Sequence, residues 1–318
     1  MLKRMSLKKI LVATSSLIVL LLIYLVPTKE LKEIKQELNY VDVDVIENDI
    51  FLLNKDGVLG KTKVQVTSKK NIEKLCEELI TYLIDGSKLE SKIPSGFKPI
   101  LPDVTKINSI KYEDNVLKLD LSKDVLEIDE KLEEKMIEAI TYSLTTIEEI
   151  KHVILYIDGN ILIKLPKSGK MLPSALDRTI GINKKYDISS YKDVTKVTVY
   201  YIDSFNDQFY YVPVTKYLND KREKINIIID ELTSTTAYNG NLMSFLNSNT
   251  KLLKVNQKSD SLDLVFNQYI FDDIDEKKIL EEVIYTICLS VADNYDVKEV
   301  SFTVDDQEIY KSVLKTLE

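Results

Sequence analysis

Very few residues in this chain carry the chemistry of a common active site. The 318 residues include one histidine, His152, and two cysteines, Cys76 and Cys288. His152 precedes an apolar run and has no cysteine near it in sequence, so a structural or solvent-facing role is preferred to a catalytic one. The cysteines fall on apolar helix faces, where cysteine usually serves packing, and they form no disulfide framework. The sequence therefore predicts no catalytic residue, no cofactor site and no metal site.

Two groups of acidic residues invite a functional interpretation. The run Asp272–Glu276 could suggest calcium, but it lacks the alternating acids and the turn glycine of a calcium loop. A helix start capped by Asp275 is the preferred interpretation. Asp158 and Asp305 end matched strands, and paired carboxylates could suggest a glycosidase. Because the two residues occupy equivalent places in separate domains, a shared site is not expected, and no enzyme is predicted.

A tyrosine-rich hairpin in the second half of the chain is the candidate partner surface. Its alternation places apolar or aromatic residues on both faces, whereas a hairpin with one wet face alternates with charges. Tyrosine suits a docking surface because its ring buries area while its hydroxyl tolerates water. The alternative is that the linker Asn160–Tyr191 folds over this face, and the sequence does not separate the two. The candidate surface consists of Tyr200, Tyr201, Phe209, Tyr210 and Tyr211.

One sequence pattern occurs twice in the chain, and all of the candidate residues named above lie within the two copies. The tetrapeptide Ile128-Asp-Glu-Lys131 of copy one recurs unchanged as Ile274-Asp-Glu-Lys277 in copy two. A duplication at this period is too long for a solenoid repeat and indicates two domains of one fold. The expected superposed pairs are Tyr142 with Tyr285 and Leu117 with Leu262.

Each copy has the predicted order hairpin, helix, strand, strand, helix, strand, which is typical of an α+β domain with helices on a small, mainly antiparallel sheet. Asp129 and Asp275 are expected to cap the second helix of their copies. The spacing Asp220-x-x-Glu223 predicts a capping box before the first helix of copy two. Pro213 lacks a backbone donor, so its strand is predicted at a sheet edge.

The first residues resemble a membrane-targeting segment. Four basic residues precede the apolar stretch Ile10–Val26, and Pro27 follows it without a small-residue cleavage site or a cysteine for lipidation. This pattern favours an uncleaved signal anchor with its N-terminus in the cytoplasm, and a cleaved signal peptide is the alternative. The predicted divisions are a cytoplasmic tail at 1–9, a transmembrane anchor at 10–26, a stalk at 27–46, copy one at 47–166, a linker at 167–194 and copy two at 195–318.

The formal net charge of −8 places an acidic body beyond the basic N-terminus. A nucleic-acid phosphate backbone requires clustered Lys and Arg, so nucleic acid is not expected as a partner.

The motifs of the two copies resemble the GerMN domain of sporulation and spore germination proteins, present here in tandem. The similarity covers residues 47–318. The motifs that carry it are Tyr211-Val-Pro-Val-Thr-Lys216, Ile93-Pro-Ser-Gly96, Leu117-Lys-Leu-Asp-Leu-Ser122, Ile284-Tyr-Thr-Ile287 and Val153–Gly159. Two features depart from the family: no lipobox cysteine is present, and Leu246-Asn-Ser-Asn249 replaces the Ile-Pro-x-Gly motif in copy two.

The resemblance implies two domains similar to a ring-building motif. It further implies a membrane-anchored, extracytoplasmic assembly factor, acting in the trans-envelope channel platform of sporulation or in germination. Expected partners are other envelope or sporulation proteins, or further copies of the chain. The alternative function is an extracellular binding or sensor module for a cell-wall polymer or a small ligand. An open cleft lined by Tyr and Asn would favour that second function.

Overall fold

The computed structural model describes residues 14–21, 46–67, 69–234 and 242–314. The chain divides into two units, Met1–Asp44 and Val45–Glu318. In the first unit, residues 14–21 are helical. Among the described residues, no helix is long and apolar enough to cross a membrane. Most of the predicted anchor Ile10–Val26 and almost all of the stalk lie outside the described residues, so both stay predictions.

Each copy in the second unit builds a four-stranded mixed sheet with two helices. The elements of copy one are β1 (Glu47–Asn54), β2 (Leu59–Gln65), α1 (Ile72–Leu83), β3 (Phe97–Lys98), β4 (Ile107–Glu113), β5 (Val116–Leu121), α2 (Glu130–Leu144), β6 (His152–Ile157) and β7 (Asn160–Ile161). The sheet order in this copy is β4-β5-β6-β7, with β5 and β6 parallel.

Copy two repeats this arrangement after the linker, which contributes β8 (Lys185–Asp187). The elements of copy two are β9 (Thr195–Phe205), β10 (Gln208–Leu218), α3 (Lys224–Thr233), β11 (Leu252–Gln257), β12 (Ser261–Phe266), α4 (Glu281–Asn294), β13 (Glu299–Val304) and β14 (Gln307–Val313). The sheet order in this copy is β11-β12-β13-β14, with β12 and β13 parallel. The final strands β7 and β14 extend the order predicted from the sequence.

The two hairpins do not stay within their copies. Strands β1 and β2 of copy one join β10 and β9 of copy two in a single sheet, whose order is β3-β1-β2-β10-β8 with β9 also on β10. The joint is the antiparallel pair Lys61↔Tyr211 between β2 and β10. The second strands of two equivalent hairpins therefore meet antiparallel, which relates the hairpins by an approximate twofold axis.

The strand β10 is interior, and the predicted edge position of Pro213 is wrong. The Pro213 carbonyl accepts a hydrogen bond from Asn183 Nδ2 at 2.8 Å. In an antiparallel strand the nitrogen and carbonyl of one residue point to the same side. The donor that Pro213 lacks would therefore point towards the Asn183 side chain and away from the ladder with β9, so its absence leaves that ladder intact.

Helix capping follows the prediction in copy one only. Asp129 caps α2 by accepting from Lys131 N at 2.9 Å. The cap of α4 is Leu280, whose side chain accepts no hydrogen bond, so the predicted Asp275 cap is wrong. Asp275 instead lies in a turn, where its N–H donates to Asp273 Oδ1.

The predicted capping box of α3 is also wrong. Its cap is Glu223, which makes no side-chain cap bond. The Asp220 carboxylate is engaged by the N–H and the guanidinium of Arg222.

Matched serines fix the true correspondence of the second helices. Phe51 N donates to Ser143 Oγ at 3.0 Å in copy one, and Tyr200 N donates to Ser290 Oγ at 2.9 Å in copy two. Each serine thus satisfies a backbone donor on the hairpin strand beside its helix. The match places Glu138 rather than Tyr142 at the position of Tyr285, so the predicted tyrosine pair is wrong.

Candidate partner surface and the seam between the copies

The structure separates the five predicted aromatic residues into two sets. Tyr200, Tyr201 and Tyr210 are buried by the rest of the chain. Phe209 remains 51% exposed, and Tyr211 is half-buried. The first three side chains therefore cannot offer a docking surface on this chain, and only Phe209 and Tyr211 of the predicted set remain accessible.

Helix α4 holds Tyr200, and the linker residue Arg178 shares its partner Asp293. The Tyr200 hydroxyl donates to Asp293 Oδ2 at 2.8 Å, and Arg178 Nη1 donates to Asp293 Oδ1 at 2.5 Å. Burial and the nearby Asp293 raise the pKa of Tyr200 well above its ordinary value. The guanidinium of Arg178 also lies 5.0 Å from the ring centroid of Tyr142. Arg178 thus connects α2 of copy one to α4 of copy two.

Tyr201 and Tyr210 are covered from two other directions. The Tyr201 hydroxyl donates to Glu231 on α3 at 2.9 Å. The Tyr210 hydroxyl donates to Asp203 at 2.6 Å, and its ring meets Phe97 of copy one edge-on at 4.7 Å. Burial, together with the hydrogen bond to Asp203, raises the pKa of Tyr210. Both hydroxyls serve packing inside the unit.

The accessible aromatic surface centres on Tyr211. Its ring centroid lies 5.9 Å from that of Tyr285 on α4. Tyr285 is 46% exposed. Burial and the neighbouring Glu282 raise the pKa of Tyr211. Two tyrosines beside the acids Glu281 and Glu282 make a surface suited to cationic groups.

Asn183 of the linker closes the seam between β2 and β10. Its Oδ1 accepts from Leu59 N at 3.0 Å, and its Nδ2 donates to Leu59 O and Pro213 O, both at 2.8 Å. Its own N–H donates to Glu138 at 2.9 Å. A single amide side chain therefore substitutes for ladder hydrogen bonds where the two strands separate.

Beside this seam lies a cleft of about 410 Å³. Its wall includes Asn54, Asn183 and Tyr186, and its charged residues are of both signs. Lys184 pairs there with Glu134 and with Glu138, the latter at 2.8 Å. Burial raises the pKa of Glu138, although Lys184 acts against that shift. The volume falls within the range of small-molecule sites.

The other chemical candidates lie apart from one another. His152 Nδ1 lies 3.5 Å from Asp177 and is exposed. Asp158 and Asp305 occupy turns of separate copies. Burial raises the pKa of the Cys76 thiol to about 12 and that of the Cys288 thiol to about 11. Among the described residues, no group of three or more His, Cys, Asp or Glu could hold a metal ion.

The linker residues Arg178 and Asn183 were missed from the sequence. One signal was available: Arg178 is one of three arginines among 43 basic residues. In a chain that otherwise uses lysine, an arginine can indicate a position that needs a planar cation with several hydrogen bonds. Asn183 follows Gly181-Ile182 in a turn-rich stretch and adopts a φ of 47°, but such turns do not reveal a partner strand.

Comparison with known proteins gives consistent matches. A family model described as "Sporulation and spore germination" matches residues 49–162 and 198–310, once in each copy. The chain is 30% identical over 267 residues to the spore germination protein GerM of Bacillus subtilis (strain 168), covering 82% of this chain and 72% of that protein. The solved tandem GerMN domains of the sporulation protein GerM from Bacillus subtilis match with a TM-score of 0.74 and 27% identity. That match covers 83% of this chain and 92% of the solved chain.

Proposed function

The chain belongs to the sporulation and spore germination family, and on that premise we propose that it is a non-enzymatic assembly factor of the cell envelope. It acts in the assembly of the sporulation envelope or in germination, through contacts with other proteins. The supporting observation is the match of both copies, in tandem, to the solved GerMN domains of a sporulation protein. The predicted relationship to tandem GerMN proteins is confirmed by the same match.

The proposal includes a membrane anchor at the N-terminus. The apolar stretch Ile10–Val26 follows Lys3, Arg4, Lys8 and Lys9, an order that retains the basic flank in the cytoplasm. Both copies then lie outside the membrane, between the mother-cell and forespore membranes if expression is specific to sporulation. Intact-mass analysis of membrane-extracted protein tests the anchor, since a cleaved signal peptide would remove about 26 residues.

The test of the assembly role is crosslinking in membranes of a sporulating culture. A photoreactive amino acid replaces the accessible Phe209, and a matched strain carries it at the buried Tyr200. We expect crosslinked envelope proteins from the first strain, together with a sporulation or germination defect in a deletion strain. Normal spores and normal germination from the deletion strain would contradict the proposal.

The binding module remains a second candidate because the structure contains a cleft lined by Asn54, Asn183 and Tyr186. Aromatic rings with neighbouring amides and carboxylates are suitable contacts for sugar hydroxyls and peptide groups of a cell-wall polymer. Titration of the purified chain with soluble cell-wall fragments tests this function. Saturable binding that Tyr186→Ser abolishes, without loss of crosslinked partners, would favour the binder over the assembly factor.

A further inference from the structure

The linker already occupies one binding position on this molecule. Its strand β8 pairs in parallel with β10, with Lys185, Tyr186 and Asp187 opposite Lys216, Tyr217 and Leu218. Ahead of that strand, Lys184 contacts Glu134 and Glu138 on α2 of copy one. The position is thus built from the outer edge of a hairpin strand in one copy and the acidic face of the second helix in the other.

The approximate twofold axis generates a second position of the same construction. The serine match places Glu281 where copy one has Glu134, and Tyr285 where it has Glu138. The corresponding strand edge is that of β2 beyond Lys61. We call the surface formed by Lys63, Gln65, Tyr211, Glu281 and Tyr285 the open edge.

The backbone of the open edge is available for pairing. Leu59 turns its N–H and C=O towards Asn183, so the two-residue period turns Lys61, Lys63 and Gln65 the same way. Lys61 pairs with Tyr211, and in the described part of the chain no strand pairs with β2 on this side beyond it. The Gln65 carbonyl accepts from the Tyr82 hydroxyl at 2.7 Å. The backbone groups that remain free for pairing are therefore the N–H and C=O of Lys63 and the N–H of Gln65.

The acidic side chain of the open edge is also exposed to solvent. At the occupied position, the Glu138 side chain is 3% exposed beneath Lys184. At the open edge, Tyr285 and Glu281 are exposed. Within the described residues, no ion pair involves Glu281 or Glu282. An unpaired strand edge beside acids that have no cationic partner among the described residues is complementary to an extended segment that carries a cation.

We propose that the open edge binds an extended basic segment of a partner protein. The segment adds to the sheet as a strand parallel to β2 and places a lysine against Glu281, as β8 and Lys184 do at the occupied position. The partner is a different protein, because the linker of a second copy is already held by its own Glu134, Glu138 and β10. The inference rests on the proposed function, for which it specifies where and what kind of partner binds.

The test uses the full chain in detergent and a fluorescent peptide with the linker sequence Gly181-Ile-Asn-Lys-Lys-Tyr-Asp187 as the probe. We expect saturable binding by anisotropy. Glu281→Lys should weaken it about fivefold, which corresponds to about 1 kcal/mol. The matched control is Glu130→Lys, which alters the first residue of α2 as Glu281 is the first of α4, and it should leave the affinity unchanged. A peptide with Lys184→Glu should recover binding to the Glu281→Lys chain.

Three outcomes would overturn the inference. They are the absence of peptide binding, equal effects of Glu281→Lys and Glu130→Lys, and a dimer of the full chain that Glu281→Lys dissociates, since the occupant would then be a second copy. The assay reads the open edge alone. Its failure with crosslinked partners still present in cells rejects the binding position, whereas normal sporulation and germination of a deletion strain reject the proposed function.

Discussion

Arg178 shows why a single linker residue can hold two helices together. Its Nε donates to Thr145 Oγ1 at 3.0 Å, one Nη donates to Asp293, and the other donates to the Tyr142 carbonyl at 3.4 Å. Its guanidinium also lies 5.7 Å from the ring centroid of Phe51. A lysine ammonium has neither the fork of donors nor the flat surface for these contacts. Asp293, with its side chain 2% exposed, depends on this cation for its charge balance.

Replacing Arg178 with methionine is therefore expected to destabilise the second unit strongly. Asp293 would remain buried without its cation, at a cost of about 3 kcal/mol. In a unit of this size, that loss lowers Tm by roughly 6–10 °C. Thermal unfolding followed by circular dichroism measures the change. The double variant Arg178→Met with Asp293→Asn should recover part of the loss, and an equal or larger loss in the double variant would contradict the ion-pair explanation.

Glu133 gives a pH prediction with a definite sign. Burial raises the pKa of Glu133, but the N–H donors of Ser168 and Lys167 outweigh burial and place it below its ordinary value of 4.5. Between the folded and the unfolded pKa, the unfolded state binds more protons. The stabilisation by Glu133 is thus fully present above about pH 4.5 and is lost as the pH falls through the folded pKa.

Denaturant unfolding at about pH 7 and at about pH 3 measures this contribution. We expect Glu133→Gln to reduce the difference in free energy of unfolding between the two conditions. Glu130→Gln, one turn earlier on an exposed position, serves as the control and should preserve the difference. An unchanged difference in the Glu133→Gln chain would show that the linker N–H groups do not hold the charged form.

At the scale of elements, the sequence predicted the order of helices and strands in each copy because hydrophobic periodicity is local. Prediction from the sequence failed where one residue could serve either of two local structures, such as a helix cap or a turn. Asp275 was a plausible cap, but its N–H is used in a turn closed by Asp273, and α4 begins at Glu281. The tyrosine pair failed for a related reason: both tyrosines lie on the matched helices, but the serine bonds, which no periodicity reveals, set the register.

The serine bonds lead to a paired prediction. Ser143→Ala and Ser290→Ala each leave a buried backbone N–H without its acceptor, on Phe51 and Tyr200 respectively. Each should cost about 1–3 kcal/mol in free energy of unfolding. Urea unfolding provides the measurement, with Ser109→Ala on the exposed face of β4 expected within about 0.5 kcal/mol of the unchanged chain. A large effect in only one copy would refute the equivalence of the two helices.

At the scale of the whole molecule, the sequence predicted two similar domains but not the sheet that joins them. Pairing between β2 and β10 depends on strand edges about 150 residues apart, and edges carry no periodic signal. The accessibility of Tyr200 and Tyr210 was misjudged for the same reason, since segments distant in the chain cover both side chains. Only the apolar excess on both hairpin faces was readable, and it correctly indicated that something covers them.

Asn183 tests whether the two copies unfold together. The variant Asn183→Gly keeps a residue that tolerates the positive φ but removes the side chain that bridges Leu59 and Pro213. We expect calorimetry to show one transition for the unchanged chain. The variant should show a calorimetric enthalpy larger than the van't Hoff enthalpy, because the two copies then unfold separately. Asn115→Gly, at a positive φ in the exposed turn between β4 and β5, is the control; two transitions there as well would contradict the role of Asn183.

The pairing of β2 with β10 must wait until both strands have been synthesised. Lys61 is synthesised about 150 residues before its partner Tyr211, and at about 5–20 residues per second that interval lasts roughly 8–30 s. During this interval copy one can complete its own core, yet the outer edge of β2 has no partner. Nascent chains in that state are candidates for pairing with one another, edge to edge. A holding chaperone would therefore have most effect in this interval, and ribosomes stalled shortly before Tyr211 would yield the most aggregation-prone products.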